Sequence, residues 1–303
     1  MHCQRAFAAG IWGVVLGIGS VAAAAEPLTE SFVGTRALGM GGGLRGAATG
    51  GTGPLQNPSG MSLLRTYNIE ADYLFARVRS GHLFHASVVD STSGFRIAGG
   101  FYYTYHFDNP DQPGISARGH EGGLALSLPF GEYVAIGATL KYLRLSGLEG
   151  AADGASAGGI TFDVGATVRP TRQISIGIVG SNLRHLGLGT APTAIGYGAG
   201  VTVGTNLQLV IDGITNLTRD DPLPRKGTRV SAGGELTLVQ KAVVRAGGGY
   251  DGVSQNGFFT VGLAAISEAG SLDFGLRQDA FRGGGSPRET VLGAGFRLFV
   301  PQP

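Results

Sequence analysis

From Tyr67 onward, apolar and polar residues alternate with a period of two. In ITFDVGATVR, the face Ile160, Phe162, Val164, Ala166 and Val168 opposes Thr161, Asp163, Gly165, Thr167 and Arg169. In RVSAGGELTL, Arg229, Ser231, Gly233 and Glu235 oppose Val230, Ala232, Gly234, Leu236 and Leu238. YNIEADYLF and SLDFGLR follow the same rule. A two-residue period is that of a β-strand with unlike faces. The pattern predicts about fourteen strands of roughly ten residues. They fall near 67–78, 82–90, 95–106, 119–130, 133–145, 158–169, 173–182, 194–204, 207–216, 226–238, 241–250, 256–266, 271–277 and 289–299.

Soluble sandwiches also alternate, so two further features bear on the fold class. The polar faces are mostly Gly, Ser, Thr and Ala with sparse charge, which suits a confined interior rather than open water. The connections also alternate: short at 90–94, 131–132, 170–172, 205–206, 239–240 and 267–270, long at 107–118, 146–157, 183–193, 217–225, 251–255 and 278–288. Only the first, at 79–81, breaks the rhythm. Short turns at one end and long loops at the other belong to a barrel crossing an outer membrane, with both termini on the short-turn side. The fold expected is all-β: a closed antiparallel transmembrane barrel of about fourteen strands. Phe130, Tyr133, Phe299, Tyr142, Tyr250 and Phe258 are candidates for its interfacial aromatic girdles.

Composition agrees. Glycine makes up 55 of 303 residues and charged residues only 15%, sparse charge for a water-exposed surface. The net charge of +2 is too small to suggest a nucleic-acid partner, and there is no basic run, so none is expected. No stretch has eighteen consecutive apolar residues, so no helix is expected to span a bilayer. A closed barrel is the other structure that can cross one; membrane lipid is then its first partner. At the start, Arg5, the apolar run Ala6–Ile18 and the Ala23-x-Ala25 motif predict a secretory signal peptide over 1–25. Cys3 and Trp12, each the only residue of its kind, lie within it, so the remainder builds no disulfide.

Residues 26–66 do not alternate. They contain RALGMGGGLRGAATGGTGPLQNPSG, in which Gly41 to Gly46 formally matches G-x-G-x-x-G. A dinucleotide loop should follow a strand and open a βαβ unit; here it follows a short helix predicted over 31–38 and no such unit comes after. A fourteen-stranded barrel is too wide for its wall side chains to fill. The segment is therefore expected to fold into the lumen as a plug over 26–66, ahead of a barrel over 67–303. Its glycines allow close backbone approach and positive φ. Gly196, Gly198 and Gly200, on one face of one strand, would make room for it.

RALGMGG followed by NPSG and then a strand resembles the N-terminal signature of the FadL/TodX and PorV/PorQ group of outer-membrane barrels. The match is carried by Arg36, Leu38, Gly39, Met40, Gly41, Gly42, Asn57, Pro58, Ser59 and Gly60; Ser59 stands for the usual alanine, and AATGG replaces an acidic pair. The stretch 241–252 resembles a strand motif of the PorV side. The resemblance implies fourteen strands and an N-terminal plug. It implies either FadL-like uptake of small hydrophobic molecules or, as the alternative, a PorV-like partnership with a protein secretion or surface-attachment system. Leu183, Leu186 and Leu188, near Leu145 and Leu148, form a candidate capture groove for a hydrophobic ligand, with loop packing as the plainer reading.

The expected lumen charges are Glu70, Asp72, Arg96, Glu121, Lys141, Asp163, Arg169, Arg229, Glu235, Arg245, Asp273 and Arg277. Their mixed signs argue against a strongly ion-selective pore and for bonds to the plug or across the wall. No Ser–His spacing suggests a hydrolase. His106, Asp108, Asp111 and His120 could ligate a metal, with ordinary solvated loop chemistry as the plainer reading. The reading is of a non-enzyme with no cofactor and no metal.

Overall fold

A computed structural model describes residues 34–92, 97–108, 118–146, 156–187, 191–217, 227–239, 241–252, 254–282 and 288–300. The signal peptide, Arg96, Leu148, Asp111 and Leu188 lie outside these residues.

Among them, fourteen strands close into one antiparallel barrel: β1 (Tyr67–Ala76), β2 (Gly81–Asp90), β3 (Ala98–Phe107), β4 (Arg118–Phe130), β5 (Val134–Ser146), β6 (Ser156–Val168), β7 (Ile174–Ser181), β8 (Ala194–Val203), β9 (Leu207–Asn216), β10 (Thr228–Leu238), β11 (Ala242–Asp251), β12 (Asn256–Ile266), β13 (Gly270–Arg282) and β14 (Thr290–Phe299). Each strand pairs with its sequence neighbour, and β1 closes on β14 from Asn68↔Phe299 to Ala76↔Val291. Closure leaves no sheet edge, which a bilayer requires. The alternation sorts the faces as expected. Ile160, Phe162 and Val164 are exposed on the outside, while Thr161, Asp163 and Thr167 are buried inside. Leu124, Leu126, Leu140, Ile211, Leu263 and Phe274 continue the apolar exterior.

Three readings need correction. The strand expected to end at 277 continues as β13 to Arg282. The pairing with β12 passes from Phe258↔Asp279 to Gly257↔Phe281, so Ala280 is an extra residue at a bulge. Such a residue breaks the two-residue period and makes a strand end look like a loop. Phe258 and Phe299 are not outer girdle residues: Phe299 is half-buried in the inward phase of β14, two residues from Arg297, and Phe258 is buried in the inward phase of β12, with the Arg277 guanidinium 4.1 Å from its ring centre. Arg169 lies one residue past β6, half-buried at the rim, rather than in the body of the lumen.

Residues 34–63 run inside the barrel as short helical pieces: α1 (Thr35–Gly39), a 3-10 turn (Gly50–Thr52), α2 (Gly53–Gln56) and a second 3-10 turn (Pro58–Leu63). The helix expected over 31–38 is described only from Thr35. Gly41 and Gly42 have φ of 87° and 89°, values costly for any side-chain-bearing residue. They turn the chain after α1, and the Gly42 amide donates to the Ala37 carbonyl at 2.8 Å.

Candidate functional site

Polar side chains join the inner segment to the wall around much of the circumference. On α1, the Thr35 amide donates to Asp72 at 3.1 Å. Arg36 forks onto both oxygens of Glu235 at 2.9 Å and donates to Gln208 at 2.7 Å. Glu235 also accepts from Arg245 at 2.7 Å, and Arg245 pairs with Asp273 at 2.7 Å. The Gly41 amide donates to the Thr260 hydroxyl, which donates to the Gly39 carbonyl. Asp212 accepts from the Arg45 amide at 2.7 Å and pairs with its guanidinium.

On the opposite side, Asn57 is the hub. Its oxygen accepts from the Ser59 amide and hydroxyl, and its amide nitrogen donates to the Arg45 carbonyl and the Thr167 hydroxyl. Ser127 donates to the Ser59 carbonyl and Thr139 to the Pro54 carbonyl.

The wall makes room where the segment touches it. A Cβ on Gly137 would strike Pro58 and Ser59, one on Gly165 would strike Asn57, and one on Gly233 would strike Met40. Gly196, Gly198 and Gly200 face Arg45, Gly46 and Ala47 in turn. Gly60 meets the Ala48 carbonyl, so the segment also folds tightly on itself.

The remaining lumen charges pair across the wall. Glu70 accepts from Arg297 at 3.0 Å, Lys141 pairs with Asp163 at 2.8 Å, and Arg229 pairs with Asp251 at 2.5 Å. Glu121 accepts from the Tyr102 hydroxyl, and Arg277 lies 3.7 Å from Asp279. Arg45, Asp212, Asp251, Asp279 and Arg297 were not singled out from the sequence. Asp212 and Arg297 were nonetheless legible, since each sits in the inward phase of its strand beside Val210 and Gly295. His106 and His120, weighed together as ligands, lie on opposite faces of the wall, buried and exposed respectively.

Four apolar clusters are buried among the described residues: Ala37, Met40, Leu44 and Ala47 of the inner segment meet Val210 of β9, Met61 meets Val89, Ala98 and Ala125, and the other two lie toward the long loops. Leu38 packs with Leu74, Ala76, Leu83 and Val291, with Leu55 against them. Leu38 can reach the wall because Gly293 and Gly275 lack side chains there. One step further along the same strands, Arg79 stands 3.8 Å from Asp108 and 4.0 Å from Glu289; burial pushes the Asp108 carboxyl up against the opposing pull of Arg79. The other long-loop cluster is Leu143, Leu145 and Ala191, with Ala157 and Leu186 packed on it. Leu186 is therefore a packing residue over Gly159, whereas Leu183 is exposed over Gly180. The structure does not bring these two into one open groove.

The Leu143 cluster adjoins the shortest pairing in the wall. β6 pairs with β5 along its whole length, to Ser146↔Ser156. It pairs with β7 only from Val168↔Ile176 to Val164↔Gly180. Beyond that, Asn182 takes a left-handed conformation and its amide donates to Asp163, and the Leu183 amide donates to the Phe162 carbonyl. Residues 156–161 of β6 have no strand partner on that side among the described residues. The β6–β7 seam thus holds five paired positions, all toward the short-turn end.

No family model matches the chain, and no curated protein matches it. Solved structures do. The CymD monoaromatic hydrocarbon channel is similar over 92% of this chain and 100% of its own, with a TM-score of 0.71 and 15% identity. The toluene transporter TbuX of Ralstonia pickettii is similar over 89% and 98%, at 0.67 and 14%. A FadL homologue of Pseudomonas aeruginosa is similar over 88% and 97%, at 0.59 and 14%. At these identities the likeness establishes a shared barrel fold.

Proposed function

We propose that this chain is an outer-membrane channel for small hydrophobic molecules, with residues 34–66 as the plug of its lumen. The observation that carries the reading is the division of the interior. Ion pairs and buried amides attach the segment to β9, β10 and β4–β6, with the Met40–Leu44 and Met61 clusters packed beside them, while near the long loops the clusters around Leu38 and Leu143 are built of carbon contacts. A polar solute or ion meets a lumen filled by protein. A small apolar solute can replace the carbon contacts among Leu38, Leu55, Leu74, Leu83 and Val291, or those among Leu143, Leu145 and Leu186 beside the β6–β7 seam. The shared fold with hydrocarbon channels supports the same class of cargo. The leader over 1–25, the outer-membrane location and the absence of enzyme chemistry belong to this reading.

Native mass spectrometry of the protein extracted gently from its own membrane tests it. The reading expects a bound apolar molecule of a few hundred daltons, on the order of the space two such clusters can offer. The molecule should be lost in Leu83→Asn or Leu186→Ser. An empty barrel with a co-eluting protein partner would replace the reading with the PorV-like role in secretion or surface attachment.

A further inference from the structure

At the short-turn end of the barrel, a cavity of about 300 Å³ opens between the exit of the inner segment and two turns of the wall. One side is residues 62–65, the chain leaving the lumen for β1. The others are the β4–β5 turn with Tyr133 and the β6–β7 turn with Arg169, Thr171 and Arg172. Three arginines, Arg65, Arg169 and Arg172, line it against the single acid Glu132.

Those charges are not cancelled locally. Arg172 pairs with Glu132 at 3.3 Å, at an exposed position. Arg65 donates only to the Thr92 carbonyl, at 2.7 Å. Arg169 donates to the Leu63 and Arg172 carbonyls, at 3.3 and 3.0 Å. A guanidinium carries five N–H donors, so both keep donors to spare, and neither has an acid partner among the described residues. Thr171 accepts from the Gln173 and Ile174 amides, which orients its hydroxyl and leaves the proton to donate. Elsewhere in the interior, Arg36, Arg45, Arg229, Arg245 and Arg297 each face a carboxylate. In this cavity the donors of Arg65 and Arg169 converge with no carboxylate of their own among the described residues, Glu132 being taken by Arg172.

Its position indicates the source of the missing anion. Tyr133 lines the cavity, and Phe130 begins the same turn. Their relative exposures are 59% and 57%, and aromatic residues at strand ends mark the level of lipid headgroups. We propose that this cavity binds the phosphate of a phospholipid headgroup from the leaflet at the short-turn side. Arg65, Arg169 and Thr171 would donate to the phosphate oxygens, Arg172 at the rim would add positive charge while sharing Glu132, and the acyl chains would pass Tyr133 and Phe130. Because Arg169 also holds the Leu63 carbonyl, a bound headgroup would fasten the exit of the inner segment to the β6–β7 turn.

The inference rests on the barrel spanning a membrane, not on the identity of the cargo. The test uses the full protein in phosphatidylcholine nanodiscs, titrated with dihexanoyl phosphatidylglycerol and followed by native mass spectrometry. Arg65→Gln/Arg172→Gln leaves the bond from Arg169 to Leu63 in place, and heat-modified gel migration checks that it folds. We expect one retained phosphatidylglycerol, bound about tenfold more weakly by this variant, as fits the loss of charge-assisted bonds at a partly exposed site. Arg65→Lys/Arg172→Lys should recover part of the loss. Equal retention by wild type and the Gln variant would overturn the site. Displacement of the lipid by equimolar inorganic phosphate would overturn the lipid as its source. Failure to insert into nanodiscs would remove the membrane premise and the inference with it, whereas insertion without retained lipid would sink the inference alone.

Discussion

The attachment of α1 can be tested through its charges. Arg36, Arg245, Glu235 and Asp273 form a neutral, mostly buried quartet in which each acid faces at least one arginine. Arg36→Met removes the forked bond to Glu235 and the bond to Gln208, and leaves one uncompensated negative charge. Breaking a buried pair in this way costs about 3–5 kcal/mol. Glu235 keeps Arg245 as a partner at 2.7 Å, so the low end, about 3 kcal/mol, is the better estimate. That free energy corresponds to about a hundredfold rise in the population of a detached α1. Glu235→Gln added to Arg36→Met restores neutrality, leaving Arg245 with Asp273. The double variant should therefore be docked more firmly than Arg36→Met alone. The readout is hydrogen exchange of amides 35–44 in the lipid-embedded protein, with single-channel conductance in parallel. Exchange in the double variant equal to the sum of the two single effects would refute the charge argument. Unchanged exchange in Arg36→Met would refute the attachment itself.

Further outcomes follow from the same contacts. Ile211→Arg places a charge on the exterior at the middle of β9 and should lower barrel stability by about 2–4 kcal/mol, while Ser231→Arg, facing inward on β10, should cost less; urea unfolding in lipid vesicles compares them, and equal costs would refute the assignment of faces. Gly198→Val would drive a side chain into Gly46 and Ile211 backbone, costing on the order of 1–3 kcal/mol, and it should raise exchange at residues 45–47 before it affects the barrel. Asn57→Ala strips partners from Thr167, Ser59 and the Arg45 carbonyl, each a loss of about 1–3 kcal/mol where the group stays buried; a conductance trace as quiet as wild type would show that the hub is dispensable.

The strands were legible because lipid outside and protein inside impose opposite chemistry on alternate residues, so every turn of the pattern reports a face. It failed where the backbone left that rule. At β13 the bulge at Ala280 puts two successive residues, Ala280 and Phe281, on the outside, and RQDAFR then reads as loop. Phe258 was misread for a different reason: its neighbour Phe259 occupies the outward phase, and only strict counting from Thr260 separates them. Inside the lumen, the residue types of the segment were visible, but their partners were not. Arg36 and Glu235 are separated by 199 residues, and nothing in an alternating strand tells which inward acid meets which arginine. The capture leucines illustrate the same limit, since Leu186 turned out to pack on Leu143 and Leu145 through a loop whose path local sequence does not specify.

The distribution of bond types inside the barrel constrains any route through it. On the β9–β10 side, displacing the segment means separating Arg36 from Glu235 and Arg45 from Asp212, each with little water at hand to replace the lost partner. On the β4–β6 side, it means unmaking the Asn57 hub and its hydroxyl bonds. Around Leu38 the wall is met through carbon: Leu74, Leu83 and Val291 on one side, Gly275 and Gly293 behind. An apolar solute of similar size replaces those contacts with contacts of the same kind, so the net cost of passage there is small, whereas a polar solute would lose its hydration and gain nothing. On the proposed reading, the Leu38 cluster is then the selective step. Leu83→Asn should slow uptake of an apolar aromatic into proteoliposomes and loosen α1 much less than loss of Arg36 does, because it costs α1 one carbon contact and leaves its ion pair with Glu235 in place. Arg36→Met should do the reverse, loosening α1 and raising ion leak while leaving the preference for apolar solutes. If Leu83→Asn raised ion leak, or Arg36→Met alone abolished the preference, attachment and selection would be one device rather than two.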